Sequence, residues 1–238
     1  FNYMAMAGWK PQQMIDGISG IMSLAAASGE DLGTTSDIVT DALTAFGLQA
    51  GDAGHFADVL AQASANANTN VSMLGESFKY VAPVAGAMNY SVEDTSLALG
   101  LMANASIKGS MAGTALKTSL ANMAAPTDSM AAAMDKYGIS LTDSEGNMKS
   151  LRGVIDNLRG SLGGLSETEQ TAAASTIFGK EAMSGMLAII NASEEDYNKL
   201  SEAIYNSKDA AQDMADTMLD NLDGSMTLMQ SAVEGVQN

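Results

Sequence analysis

Apolar positions recur three and four residues apart along most of the chain, which is the period of an amphipathic helix. Pro11 suits a first helical turn, where a missing N–H costs nothing. Met14, Ile15, Ile18, Ile21, Met22 and Ala25 then form one face, and Ser28-Gly29 breaks it. Ile38, Val39, Ala42, Leu43 and Phe46 form a second face, closed by Gly47. Asp52 is read as opening a third helix with Phe56, Val59, Leu60 and Ala63 inside, ending in the polar run Asn66 to Asn70. Ser72 is read as the cap of a fourth, carrying Leu74, Phe78, Val81 and Val84, with a kink expected at Pro83. Ser91-Val92-Glu93-Asp94 has the hydroxyl and acids of a helix start, followed by Leu97, Leu101 and Met102. Beyond Gly109 come Met111, Leu116, Leu120 and Met123, and Pro126-Thr127 starts a helix ending at Tyr137-Gly138.

Residues 139–149 break the period. Ile139-Ser140-Leu141-Thr142 alternates, Asp143-Ser144-Glu145-Gly146 reads as a turn, and Asn147-Met148-Lys149 as a returning strand, so a small β-hairpin is expected. Helices resume at Leu151, Val154, Ile155 and Leu158. Ser166-Glu167-Thr168-Glu169 fits a capping box, Met183, Met186, Leu187 and Ile190 mark another helix, and Ser193-Glu194-Glu195-Asp196 caps the next. From Asp209 onward, Met214, Met218, Leu222, Met226, Met229, Val233 and Val236 make one apolar stripe about 30 residues long, some 45 Å of helix. Its charges (Asp209, Asp213, Asp216, Asp220, Asp223, Glu234) include no base. Two readings stand for this stripe: self-association with other copies, and plain packing along the body. Met214, Met218, Leu222, Met226 and Met229 are the candidate partner contacts.

The expected fold is therefore all-α. It has about ten helices, one small β-hairpin near 139–149, a long C-terminal helix, and a soft boundary near Ala125-Pro126 between residues 1–125 and 126–238. Composition agrees: 46 % of the 238 residues are hydrophobic, 39 of them Ala and 18 Met, with 23 Gly and only 3 Pro. Ala and Gly let helices approach closely, and Met fills irregular gaps. Both ends are expected to be cuts within something longer.

Charge narrows the functions. The chain holds 28 acidic and 11 basic residues, a net −17. That argues against direct nucleic-acid binding, which needs Lys and Arg to neutralise phosphates, and against electrostatic docking on anionic lipid. Having no Cys and one His excludes disulfide scaffolds, thiolate metal sites and a two-His metal site. Asp143, Glu145 and Asn147 alternate as in a calcium loop, but the positions that need Gly and Glu hold Met148 and Val154. His55 has no nucleophile pattern near it. The acids sit mostly at caps and on polar faces rather than as a catalytic pair. No phosphate cradle is present. Gly109 and Gly113, four apart, suit a close helix contact. No catalytic site, metal or cofactor is expected.

Several longer stretches go further. Leu74-Gly75-Glu76-Ser77-Phe78-Lys79-Tyr80-Val81-Ala82-Pro83-Val84-Ala85 resembles the core region of phage tail tape measure proteins. So does Leu99-Gly100-Leu101-Met102-Ala103-Asn104-Ala105-Ser106-Ile107-Lys108-Gly109-Ser110, running on through Ala112-Gly113-Thr114-Ala115-Leu116. Gly138 to Met148, Phe178-Gly179-Lys180-Glu181-Ala182-Met183-Ser184-Gly185, and Met214 to Leu222 are similar to further blocks in the same order. The resemblance spans roughly residues 10–236, without the long flanking coils or cell-wall-degrading domains of some relatives.

The resemblance implies a helical, non-enzymatic structural protein. Such proteins occupy the tail-tube lumen while tube subunits polymerise around them, so their length sets tail length, and they leave at infection. It implies tail tube and tail tip proteins and tail assembly chaperones as partners, with self-association in the tail. It implies location in the virion tail and, during assembly, in the host cytoplasm. An alternative is a membrane-active segment in transient contact with the host envelope, motivated by the Ala/Gly-rich runs 81–88 and 98–106. A third is an unrecognised carboxylate-based wall-degrading activity.

Overall fold

Caps and apolar spacing set where the helices fall. The computed structural model describes residues 2–221 and residue 226. Its helices are α1 (Asn2–Met6), α2 (Pro11–Ser28), α3 (Leu32–Phe46), α4 (Ala53–Asn66), α5 (Val71–Ala87), α6 (Val92–Asn104), α7 (Gly109–Ala124), α8 (Asp128–Tyr137), α9 (Leu151–Leu162), α10 (Glu167–Phe178), α11 (Met183–Ile190) and α12 (Glu194–Tyr205), with a 3-10 turn at Ala50–Asp52. Residues 210–221 are helical again and are called α13. The described residues thus hold more helices than the ten or so expected, partly because α1 has no periodic signal.

Side chains of Asp31, Asn70, Ser91, Thr127, Ser150, Ser166 and Ser193 each accept the N–H three residues on. Each such cap stabilises by about 1 kcal/mol. The cap of α5 is Asn70 rather than Ser72, its carboxamide oxygen accepting from Met73 N at 2.8 Å. Asp52 closes the 3-10 turn, accepting from Gln49 N at 2.7 Å, and α4 starts one residue later. Pro83 lies inside α5 on an exposed face.

The β-hairpin expected near 139–149 is not formed. The described residues contain a single antiparallel bridge, Thr142 to Met148, and no strand. Side chains compete for the backbone groups a ladder would need. Asp143 Oδ1 accepts from the N–H groups of Glu145 and Asn147, both at 2.9 Å. The Ser140 hydroxyl accepts from Thr142 N and donates to Thr142 O, and Asn157 Oδ1 takes Ser140 N–H. Ile139 and Leu141 remain buried, so the alternation reports a loop anchored by two apolar residues.

α6 is the centre of the packing. Asp94 to Ala103 are all buried, the second half from Leu97 to Ala103 being apolar all round, as suits a central helix. α4, α7, α9, α11 and α12 lie against it, α5 packs most extensively on α7, and α2 and α3 pack on α4 and α5. One continuous apolar cluster runs from Met4 to Ala211. Glycines set the closest approaches. A Cβ on Gly113 would lie 2.2 Å from the Ser77 carbonyl oxygen of α5, and one on Gly20 would lie 2.6 Å from Gly54 Cα of α4. No described helix is long and apolar enough to cross a membrane.

Candidate interaction surfaces

α13 separates the residues of the expected stripe. Ala211 and Ala215 are buried and Met214 packs against the core. The Asp58 carboxylate anchors the start of this helix, accepting from the backbone N–H of Asp209 and Ala211 at 2.9 Å each. Ser23 of α2 donates to Gln212 at 2.7 Å. Beyond Ala215 every residue from Asp216 to Asn221 is exposed, including Met218 at 48 % and Leu219 at 53 %. Met226 is 50 % exposed, while Leu222 and Met229 lie outside the described residues. Met214 and Met218, one turn apart on the same stripe, therefore differ: one is core-packed, the other open to solvent.

A second set of exposed residues was not foreseen. Met73 and Tyr80 of α5 are exposed, and Met111 of α7, 65 % exposed, lines a groove with Thr114, Thr118 and Glu181. Lys79 lines the groove between α3 and α5 with Asp41, Lys117 lies on α7, and Lys108 holds the N-cap position at its start. The Lys117 ammonium is 5.8 Å from the Tyr80 ring centre, and Ser77 Oγ donates to Gly109 O at 2.8 Å, which fixes the register. Lys79 approaches Asp37 of α3 at 3.9 Å. Lys108 and Lys117 have no ion-pair partner among the described residues.

A third feature is an apolar cleft of about 530 Å³ between α1, α2 and α3, lined by Tyr3, Ile18, Ile21, Met22, Leu32 and Ser36. The Ser36 hydroxyl is buried there without a hydrogen-bond partner.

Titratable groups converge where α6, α9 and α12 meet. The Tyr205 hydroxyl donates to the buried Asp94 carboxylate, which also accepts Arg152 N–H at 2.9 Å. Tyr197 donates to Asp156 at 2.5 Å. The Arg152 guanidinium is 4.8 Å from the Tyr205 ring centre, and that of Arg159 is 4.6 Å from that of Tyr197. Arg159 also donates to the carbonyls of Ile189 and Ala192 and to Glu194, closing the end of α11. Burial pushes the Tyr197 hydroxyl up to about 12, with its bond to Asp156 adding to the shift. Tyr205 is raised further, by burial and then by Asp94. Both phenols are held protonated as donors, the opposite of an activated nucleophile. The cluster fastens helices together.

The remaining candidates are local. His55 Nε2 lies 2.6 Å from Glu93 Oε1 and joins the starts of α4 and α6. The backbone N–H of Asn147 holds the Asp143 carboxyl below the usual range, the chemistry of a turn. No group of three or more metal-ligating side chains occurs among the described residues.

Residues 1–179 match the family described as phage-related minor tail protein. The chain is 42 % identical over 233 residues to the tape measure protein of Pneumococcus phage Dp-1, covering 98 % of this chain and 20 % of that protein. It is 28 % identical over 218 residues to the probable tape measure protein of Escherichia phage P2, covering 90 % of this chain and 27 % of that one. No solved structure matches it. The chain thus spans about a fifth to a quarter of the length of these curated relatives.

Proposed function

The chain belongs to the phage-related minor tail protein family, and from that premise we propose that it is a structural segment of a tape measure protein. It packs in the lumen of the tail tube during assembly, helps set tail length, and leaves the tail at infection. The identity to a tape measure protein across 98 % of the chain carries this reading. Its partners are tail tube and tail tip proteins, assembly chaperones and further copies of itself. Its places are the host cytoplasm during assembly and then the virion tail.

The fold qualifies how such a segment measures. The longest helix described has 18 residues, or about 27 Å at 1.5 Å per residue. Folded helices of this size contribute far less length than one continuous helix, so we assign the ruler to the whole protein and a folded block to this segment. An in-frame insertion of known helical length after Asn238 in the phage gene should lengthen tails by about 1.5 Å per residue. Tails of unchanged length would overturn the ruler.

One observation favours a second reading, a membrane-active segment released at ejection. The second half of α6, Leu97 to Ala103, is apolar and covers most of the run 98–106, yet it is buried and becomes available only if the bundle opens. Leakage of vesicles made from host lipid, after partial unfolding at mildly acidic pH, supports this reading. No leakage removes it.

A further inference from the structure

We propose that α13 is a conditional helix: it forms only on the folded body, because Asp58 of α4 supplies the N-terminal cap that the residues before α13 do not. Asp58 is thereby a positioning residue, fixing the direction in which the exposed Met218 and Leu219 leave the body. The inference stands on the fold alone and does not depend on the ruler reading.

The start of α13 differs from those of the other capped helices. Asp31, Asn70, Ser91, Thr127, Ser150, Ser166 and Ser193 each stand in extended backbone just before their helix and accept the N–H three residues on. Asp209 holds that place before α13, but at φ +64°, in the left-handed region. Its carboxylate lies 4.0 Å from Lys208 Nζ. The first amides of α13 are met from elsewhere. Asp58 Oδ2 accepts from Asp209 N and Oδ1 from Ala211 N, at 2.9 Å each, and Ser207 O accepts from Ala210 N at 2.9 Å. Both oxygens of one carboxylate thus serve a helix start 151 and 153 positions away in sequence. A negative charge at a helix N-terminus is also favoured by the helix dipole.

α13 is weak by itself. The first turn is the costly step of helix formation, and isolated helices shorter than about 12–15 residues are marginal in water. Asp209 and Asp213, and Asp216 and Asp220, are like charges four apart, and no Lys or Arg follows Lys208. Gln212 ties the second turn to the body, accepting from Ser23 of α2 and donating to Asp216, at 2.7 Å each. Ala210, Ala211 and Ala215 are buried and Met214 packs on the core, whereas every residue from Asp216 to Asn221 is exposed. The exposed part therefore takes its direction from the docked first turns, and those turns take theirs from Asp58.

The test is residue-resolved hydrogen exchange of the 238-residue chain with Asp58→Ala and Asp58→Asn. In Asp58→Ala the amides of residues 213–219 should exchange at least tenfold faster, while those of α4 to α7 keep their protection. Asp58→Asn keeps one acceptor oxygen in nearly the same volume and should recover part of the loss. The chain has no cysteine, so Met218→Cys gives a single site for a spin label, whose mobility should rise when Asp58→Ala is added. Unchanged exchange and unchanged label mobility in Asp58→Ala overturn the proposal. So does a loss shared equally by α4 to α7, which would make Asp58 a support of the whole body. Asp58→Asn behaving no better than Asp58→Ala overturns it too, because the acceptor would then not be what holds the helix. Tail length plays no part in these readouts, so the ruler and this cap fail independently.

Discussion

α7 and α12 both pack against α6, but different forces position them. α7 is held close to α5 by backbone shape: Gly113 lies so near Ser77 that no side chain fits between them. α12 is held by side chains. Leu200 fills the notch at Gly100, and Tyr197 and Tyr205 reach carboxylates on α9 and α6. The first contact depends on volume and is indifferent to pH. The second can adjust to volume and depends on protonation.

The largest effect expected is at Gly113. In Gly113→Ala the new Cβ meets the rigid Ser77 carbonyl at 2.2 Å, so the helices must part, at a cost of about 3 kcal/mol. In Gly100→Ala the nearest atom, at 2.7 Å, is the flexible end of Leu200, and the loss should be about 1 kcal/mol. Urea midpoints of the two variants compare them directly. Equal losses would break the distinction between the two contacts.

Next comes Asp94→Ala, which leaves the Tyr205 hydroxyl and Arg152 N–H without their acceptor in a largely buried site. A loss of about 2 kcal/mol is expected, with Tyr205→Phe costing about half of that. Hydrogen exchange should show the loss concentrated in α12 and leave α7 protected. Uniform loss would mean the two helices open as one unit.

The phenols sharpen the comparison through pH. Tyr197 is raised to about 12, above its ordinary value near 10, so the folded state favours the neutral form. The stability this contributes is full below about pH 10 and is lost as pH rises through about 12. Burial pushes Tyr90 to about 12 as well, with Asp94 adding to the shift. Ultraviolet titration of phenolate should show Tyr90 and Tyr197 ionising late, together with loss of α12 protection. Early ionisation of all six tyrosines would show that α12 does not shield them.

The smallest effect is at Asp143. Its carboxyl is held below the usual range by the backbone N–H of Asn147, so its contribution is present above the ordinary carboxylate pKa and fades as pH falls through the lowered one. Asp143→Ala should lower the urea midpoint slightly at neutral pH and not at all at strongly acidic pH. A loss that persists in acid would assign the turn to something other than this carboxylate.

The sequence alone determined most of the helices and many of their ends, though not α1 or the cap of α5 at Asn70. Each helical hydrogen bond spans four residues, so the spacing of Phe56, Val59, Leu60 and Ala63, or the caps Ser91, Ser166 and Ser193, can be read without knowing what lies opposite. The acidity, the lack of a motif for chemistry and the resemblance to tail proteins were also legible there. Tertiary structure decided the rest. Whether 139–149 pairs as strands depended on Ser140, Asp143 and Asn157 taking the ladder's backbone groups, and Asn157 comes from α9. Where the Met stripe stops being core depended on how far the body extends beneath α13. These outcomes are contacts between distant residues. A periodic pattern fixes which face of a helix is apolar, but not which surface, in the same chain or in another copy, will cover it.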